Sequence, residues 1–172
     1  GATIVDQNMP RICKTLDFTG VDPVAFHMNN INQTIYGSFT LVDNVSVNVA
    51  LGNTLTFEGR NGFTYTPSNT SAYNTVVNIN MIIGTLTLAN PYNANSLYTL
   101  TLNNGTFNSS TYNVGVGTFN SSNSNTRTLL MGSGTWTIPT AWTMTTITGL
   151  SSVNIGQAST IVFGSATGNQ TF

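Results

Sequence analysis

Alternation of apolar and polar residues with a period of two limits the fold of this chain more than any other feature. In the segment 39–57 the apolar residues fall on odd positions, and most of the residues between them are polar. These apolar residues are Phe39, Leu41, Val45, Val47, Val49, Leu51, Leu55 and Phe57. The pattern predicts β-strands with one buried and one solvated face. No apolar stripe of helical spacing extends over three turns, so we expect negligible helix.

Later segments repeat the alternation in short pieces whose parity differs. Their apolar positions are Val77, Ile79, Met81 and Ile83; Leu86 and Leu88; Tyr98, Leu100 and Leu102; and Tyr112, Val114 and Val116. The parity changes across Gly84, across Asn103-Asn104-Gly105 and across Gly117. A change of parity would turn the apolar side chains outward unless the chain bulges or turns, so glycine is predicted to mark corners of the fold.

The sequence contains an internal repeat: the six residues 105–110, Gly-Thr-Phe-Asn-Ser-Ser, recur at 117–122. Related Gly-Thr-hydrophobe segments begin at Gly84 and Gly134. The intervals between these glycines are irregular, roughly 12 to 21 residues, which fits solenoid coils of variable length better than propeller blades of fixed size. We therefore predict an all-β, irregular β-solenoid similar to a parallel β-helix. An antiparallel β-sandwich or jelly roll is the alternative.

In such a solenoid we expect Phe107 to lie above Phe119 inside the coils, with Asn and Ser ladders at the turns and Thr on the solvated faces. Truncation of either Phe to Ala is expected to lower stability strongly, since loss of a buried Phe costs about 3–5 kcal/mol. Arg127→Ala is expected to matter little, because surface ion pairs contribute under about 1 kcal/mol.

The scarcity of charge argues against several classes of partner. Charged residues make up 5 % of the chain, against roughly a quarter of an ordinary soluble domain. The four basic residues Arg11, Lys14, Arg60 and Arg127 are too scattered for a nucleic-acid footprint or a patch for anionic lipid. No apolar run approaches the roughly 18 residues of a membrane span. We expect no nucleic-acid partner and no membrane insertion.

Few residues suit catalysis or metal binding. Cys13 is the single cysteine and is interpreted as a core residue, and the single histidine, His27, as a half-buried or surface imidazole without a catalytic partner. The acids are Asp6, Asp17, Asp22, Asp43 and Glu58. Two of them could form a hydrolytic pair, but Asp17 and Asp22 better fit a turn with Asx-type hydrogen bonds. We predict no catalytic residue, no metal site and no cofactor.

Aromatic residues near loops are the main indication of a binding site. Tyr65, Tyr73, Tyr92 and Trp142 could stack on sugar rings while Asn, Thr and Ser bind the hydroxyls. The preferred interpretation is that they fill the core or the corners, because Trp136 and Tyr112 fit the inward alternation.

Residues 13–20, Cys-Lys-Thr-Leu-Asp-Phe-Thr-Gly, and 35–41, Ile-Tyr-Gly-Ser-Phe-Thr-Leu, resemble a pattern in large phage and environmental proteins that look like β-helical fibre or tail components. The segments 121–129 and 132–137 are similar to the same group, so the resemblance covers most of the chain. It implies a rod or coat element exposed to the medium and brings no catalytic residue with it. Similar compositions also occur in β-helical adhesins of bacteria.

From these observations we expect residues 1–172 to form a single β-repeat domain that is a fragment of a longer chain. The expected function is that of a structural or adhesive surface module in a fibre, tail, coat or extracellular filament, at the virion surface or outside the cell. A glycan-binding adhesin and a tailspike-like hydrolase are the alternatives. We expect self-association as a trimer, lattice or filament, because the strand-like segment 158–163 has no charge and no Pro to discourage pairing.

Overall fold

The chain forms an all-β solenoid of about six coils that are joined by parallel strand pairing. The computed structural model describes residues 3–6, 9, 11–21, 23–29, 31–48, 53–69, 75–94, 96–144, 150–154 and 159–164, among which there is no helix. The strands are β1 (Thr3–Asp6), β2 (Arg11–Cys13), β3 (Leu16–Asp17), β4 (Val24–His27), β5 (Gln33–Ile35), β6 (Phe39–Thr40), β7 (Val45–Asn48), β8 (Thr54–Gly59), β9 (Gly62–Thr66), β10 (Val76–Leu88), β11 (Tyr92–Asn93), β12 (Thr99–Asn108), β13 (Val114–Gly115), β14 (Thr118–Asn120), β15 (Arg127–Leu130), β16 (Thr135–Thr137), β17 (Ala141–Thr143), β18 (Leu150–Asn154) and β19 (Thr160–Val162).

Each coil contributes strands to up to three sides. Side 1 consists of β2, β5, β8, the first parts of β10 and β12, β14 and β17. Side 2 consists of β3, β6, β9, the second parts of β10 and β12, β15 and β18. Side 3 consists of β1, β4 and β7 and, in the later coils, of β11, β13, β16 and β19. Every pairing between described strands is parallel, so the predicted solenoid is confirmed and the antiparallel sandwich was wrong.

The alternation seen in the sequence is the alternation of burial in the structure. Phe39, Leu41, Val45, Leu55 and Phe57 are all at most 2 % exposed. The side chain of Val47 and the whole of Val49 and Leu51 lie outside the described part of the chain. Outward positions are mostly Thr, Asn and Ser, as predicted.

The parity changes lie at corners, although one corner is placed differently from the prediction. At the corner in β12 the outward pair is Asn103 and Asn104, as expected. In β10 the outward pair is Ile82 and Ile83, so the predicted inward position of Ile83 was wrong and this side chain is 72 % exposed. The reason is a bulge. Asn80 and Thr85 of β10 pair with Asn104 and Thr106 of β12. Four residues, 81–84, lie between the two positions of β10, whereas only Gly105 lies between those of β12, and the additional residues of β10 are displaced outward.

Aromatic rings occupy the core in two groups. In the early coils Phe39 and Tyr65 stack with ring centroids 5.7 Å apart, and Tyr92 lies 5.7 Å beyond Tyr65. In the later coils Trp136 packs edge-on against Phe119 at 5.5 Å and Trp142 packs against Phe119 at 4.6 Å. Each ring therefore contacts rings from neighbouring coils, and this interdigitation ties the coils together along the core.

The two copies of the repeat do not stack on each other, so the predicted position of Phe107 above Phe119 was wrong. Phe107 lies on side 2 beside Leu129, whereas Phe119 lies on side 1 beside Leu100. The coils repeat at intervals of about 22 residues, as in the 22-residue offset between bonded side chains of adjacent coils. A motif that recurs after about half of that interval occupies a different side. Both phenylalanines nevertheless contact Trp136, at 6.0 and 5.5 Å.

What the two copies share is a local corner structure. In both, the Asn side-chain oxygen accepts a hydrogen bond from the backbone N–H two residues later, at 2.9 Å for Asn108 and 3.0 Å for Asn120. The Ser between them, Ser109 or Ser121, is fully buried. The repeat thus encodes a strand followed by an Asx turn with a buried hydroxyl.

Gly105 shows why some corners require glycine. Its φ is +79°, a conformation that side chains with a Cβ rarely adopt. A Cβ there would also lie 1.8 Å from the carbonyl oxygen of Met81 in the preceding coil. The backbone of two coils can approach this closely only without a side chain.

Arg127 is buried rather than exposed, contrary to the sequence-based expectation. It is 1 % exposed, and burial lowers the pKa of its guanidinium from the usual range. Nε donates to Ser121 Oγ at 2.6 Å, Nη2 to the Ser121 carbonyl oxygen at 2.5 Å and Nη1 to the Asn125 carbonyl oxygen at 2.8 Å. The charge is therefore solvated by the turn that precedes β15, which offsets its removal from water.

We expect Phe119→Ala to lower the free energy of unfolding by about 3–5 kcal/mol, because it removes a ring packed between two tryptophans. Phe107→Ala should have an effect of the same order. Leu97→Ala is the control, since Leu97 is 77 % exposed and its truncation should cost under about 0.5 kcal/mol. Urea unfolding followed by circular dichroism measures all three, and equal losses would contradict this assignment of the core.

We expect Arg127→Ala to be strongly destabilising, because it leaves the Ser121 carbonyl oxygen buried without its donor, which costs about 1–3 kcal/mol. It also removes one hydrogen bond of the Ser121 hydroxyl, which keeps its bond to the Leu102 carbonyl oxygen. Arg60→Ala, at an exposed position, is the matched control and should change stability little. Melting temperatures of the two variants give the comparison. Similar small losses in both would show that the contacts of Arg127 do not stabilise the turn.

Candidate functional site

The aromatic residues considered for sugar binding lie in the core. Tyr65, Tyr92 and Trp142 are only 1 %, 1 % and 3 % exposed, so their rings present no face to solvent. Burial raises the pKa of Tyr92 above its usual range. Tyr73 lies outside the described residues. For the three described residues, the preferred interpretation as core fillers is confirmed.

The acids that the structure describes take part in local or inter-coil hydrogen bonds. Asp17 accepts a bond of 2.8 Å from the backbone N–H of Thr19, which confirms the predicted Asx-type hydrogen bond at this residue. Hydrogen bonds from the side chain and from the backbone of Thr19 lower the pKa of Asp17. Asp43 accepts from the backbone N–H of Asn69 at 2.7 Å and from the Ser68 hydroxyl at 3.3 Å. Asp22 and the side chain of Asp6 lie outside the described part.

Cys13 and His27 occupy half-buried positions. Cys13 lies in β2 against the core, and Gln33 Nε2 donates to its Sγ at 3.4 Å. Desolvation of this thiol raises the pKa of Cys13, which disfavours the reactive thiolate. His27 ends β4 and is half-buried, as predicted.

The most extended polar arrangement is a ladder of side chains at the corner between sides 1 and 2, here called the corner ladder. It consists of Tyr36, Glu58, Asn80, Asn103 and Asn125, one from each of five successive coils. The Tyr36 hydroxyl donates to Glu58 Oε2 at 2.7 Å, and Asn80 Nδ2 donates to Glu58 Oε1 at 3.2 Å. Asn103 Nδ2 donates to Asn80 Oδ1 at 3.2 Å, and Asn125 Nδ2 to Asn103 Oδ1 at 3.3 Å.

The corner ladder connects the coils and leaves the Glu58 carboxylate engaged at both oxygens. The hydrogen bond to Glu58 and the charge of the carboxylate raise the pKa of Tyr36. Sequence reasoning missed this ladder, although the signal was present as polar residues spaced at 22 or 23 positions. The arrangement suits a structural role, since each side chain satisfies its neighbours in the stack.

A groove on side 3 has a volume of about 500 Å³. Pro91, Asn93, Ser96, Asn113, Thr135 and Pro139 contribute to its lining. Gly115 lies in this groove against Asn93, and a Cβ at position 115 would be 2.5 Å from Asn93 Oδ1. The described residues that line it carry no charge. The groove can therefore offer amide and hydroxyl groups, but no acid or base, to a ligand.

Within the described ranges, no three His, Cys, Asp or Glu side chains are grouped so that they could hold a metal ion. In the same part of the chain no helix is long and apolar enough to cross a membrane.

Comparison with known proteins gives no assignment: no protein-family model, no curated protein and no solved structure matches this chain.

We expect Asn103→Ala to destabilise the protein by about 1–2 kcal/mol, because it breaks the corner ladder on both sides of one coil and each net hydrogen bond contributes about 1 kcal/mol. Asn61→Ala, at an exposed corner position, is the control and should have a smaller effect. Chemical unfolding of both variants decides the point. If Asn61→Ala cost as much as Asn103→Ala, the ladder would add nothing to stability.

Proposed function

We propose that this chain is a structural segment of an exposed rod, such as a phage fibre, tail or coat protein or an extracellular filament, and that it has no catalytic activity. The observation that carries the proposal is the unbroken stacking of coils. On side 1, strands from β2 to β17 pair with one another in sequence, always in parallel. Such a fold extends in one dimension, and each coil contacts only its neighbours, which suits a spacer or shaft.

The chemistry of the surface supports the same role. Many of the exposed described residues are Thr, Asn or Ser, and only 5 % of all residues are charged. The described carboxylates of Asp17, Asp43 and Glu58 all accept hydrogen bonds from their own turn or from a neighbouring coil. These groups stabilise turns and link coils, and none of their contacts requires a substrate.

Association with further copies is part of the proposal. Among the described strands, β17, β18 and β19 each pair with a neighbour on one edge only. Unpaired strand edges expose backbone N–H and C=O groups that another strand can bind. The segment around β19 has no charge and no Pro to oppose this. A trimer, a lattice or a filament would cover the edges.

A glycan-binding adhesin module is the second candidate, because of the groove on side 3. Its Asn93, Asn113, Ser96 and Thr135 could bind the hydroxyls of an uncharged sugar. The buried aromatic rings do not contribute a stacking surface there. The structural role is therefore preferred.

Sedimentation velocity of the full chain at micromolar concentrations tests the assembly. We expect elongated species whose size increases with concentration. Thr160→Lys adds a positive charge to the edge strand β19 and should weaken association through repulsion between copies. Thr137→Lys adds the same charge at an exposed position of β16, which β19 already pairs, and should leave association unchanged. A strictly monomeric chain, or two variants that behave alike, would contradict the assembly proposal.

A second measurement separates the candidates. The chain is passed over a panel of immobilised neutral polysaccharides, and release of reducing ends is followed in the same samples. The structural proposal expects neither retention nor release. If the chain is retained on a polysaccharide, and Asn93→Ala and Asn113→Ala abolish that retention, the adhesin is favoured instead. Release of reducing ends would contradict the proposal that the chain has no catalytic activity.

A further inference from the structure

Side 1 carries a regular array of uncharged side chains, here called the threonine face. In five successive strands, two outward residues flank one inward residue. The outward pairs are Thr54 and Thr56, Val76 and Asn78, Thr99 and Thr101, Thr118 and Asn120, and Ala141 and Thr143. Six of these ten residues are Thr and none is charged. All ten are half-exposed, although the side-chain oxygen of Asn78 is itself buried.

The array is in continuous register across the coils. The inward residues Leu55, Val77, Leu100, Phe119 and Trp142 form one column of paired positions, and each is at most 3 % exposed. Because this column is packed, the backbone beneath the outward residues is held in place. The two outward columns therefore run side by side along the solenoid axis.

The spacing of the array follows from strand geometry. Neighbouring parallel strands lie about 4.8 Å apart, and residues two positions apart on a strand are separated by about 6.6 Å. The ten outward side chains thus lie on a nearly rectangular net with these two repeats, in which Val76 and Ala141 interrupt one of the two columns of hydrogen-bonding groups. Sheets with stacked side-chain ladders can stay flatter than the usual twisted sheet, so the net can persist over several strands.

Thr is well suited to hold water in such a net. Its β-branched side chain has restricted χ1 rotamers, so the hydroxyl and methyl groups keep fixed positions. The hydroxyl donates one hydrogen bond and accepts two, which allows each Thr to anchor a water molecule and to accept from another. A preorganised surface loses little entropy when it binds an ordered ligand. The absence of charge avoids strongly hydrated ions that would impose their own water structure.

A regular net of hydrogen-bonding groups over a packed column fits a ligand that is itself a periodic lattice of oxygen atoms. The repeat between strands is close to an oxygen spacing on the prism planes of hexagonal ice, and the repeat along a strand is somewhat shorter than the second oxygen spacing on those planes. We propose that the threonine face binds ice, by anchoring surface water in positions that continue into the crystal. The site is the exposed side of β8, β10, β12, β14 and β17, and it is separate from the groove on side 3.

Partition into growing ice tests the proposal on the full chain. A dilute solution is frozen slowly from a cold surface, and the protein concentration in the ice is compared with that in the remaining liquid. We expect this chain to be enriched in the ice relative to an unrelated soluble protein, and to shape small ice crystals and halt their growth within a narrow temperature interval. Exclusion from the ice like the reference protein would overturn the proposal.

Three variants locate the activity. Thr99→Lys places a long, charged side chain in the middle of the threonine face and should abolish enrichment and ice shaping. Thr99→Val keeps the shape, removes one hydroxyl and should weaken both. Thr137→Lys makes the same charge change on side 3 and should leave both unchanged. Circular dichroism spectra and melting temperatures show whether each variant is folded. If Thr99→Lys does not fold, Thr99→Val provides the test of the threonine face.

Two outcomes would count against this site even if the native chain bound ice. Equal losses in Thr99→Lys and Thr137→Lys would show that the threonine face is not the binding surface. Retention on insoluble cellulose or chitin that depends on Thr99, together with exclusion from ice, would show that the periodic ligand is a crystalline polysaccharide instead.

Discussion

The parallel hydrogen-bond ladder between successive coils determines where every other feature of this protein lies. Because each coil pairs in register with the next, a residue meets its counterpart about 22 positions away, as Thr34 meets Thr56 and Asn80 meets Glu58. Columns of like environment follow directly. The packed core, the corner ladder and the threonine face are three columns of the same pairing, one directed inward, one along a corner and one outward.

Turning the chain at corners creates backbone groups that the ladder cannot satisfy, and polar side chains bind them. Ser109 donates to the Met131 carbonyl oxygen at 2.7 Å and accepts from the indole N–H of Trp136 at 3.3 Å. Ser121, the equivalent residue of the other repeat copy, receives the guanidinium of Arg127. One short motif therefore positions a buried aromatic ring on one side and a buried charge on another. These hydroxyls can serve both cases because they donate and accept at once.

The sequence was sufficient to predict what depends on neighbouring residues along the chain. Local pattern and turn chemistry account for the strands, the burial of Phe39 and Leu55, the parity change at Asn103 and the Asx turn at Asp17.

Features that depend on the interval between coils were missed or misplaced, because that interval becomes visible only when the strands are paired. The sequence-based prediction placed Phe107 above Phe119, whereas Phe107 lies beside Leu129, and the corner ladder at Glu58 was not predicted. Arg127 shares its inward parity with Leu129 and Met131, so its burial could have been predicted from alternation alone. For the groove on side 3, no local signal was available, since residues of successive coils line it.

In-register stacking also explains the composition of the chain. Two like charges in adjacent coils would lie about 4.8 Å apart, and their repulsion costs about 1 kcal/mol in water and about 3–4 kcal/mol near a protein surface. A column of charges accumulates that cost at every coil. Asn and Thr avoid it because each donates and accepts, so identical residues can bond to one another along the stack, as Asn80, Asn103 and Asn125 do. The one acid in the corner ladder is consistent with this rule: Glu58 lies between Tyr36 and Asn80, and both neighbours donate to it. A surface rich in Thr and Asn and poor in charge is therefore a consequence of the fold's own periodicity. The same periodicity gives the threonine face its regular spacing.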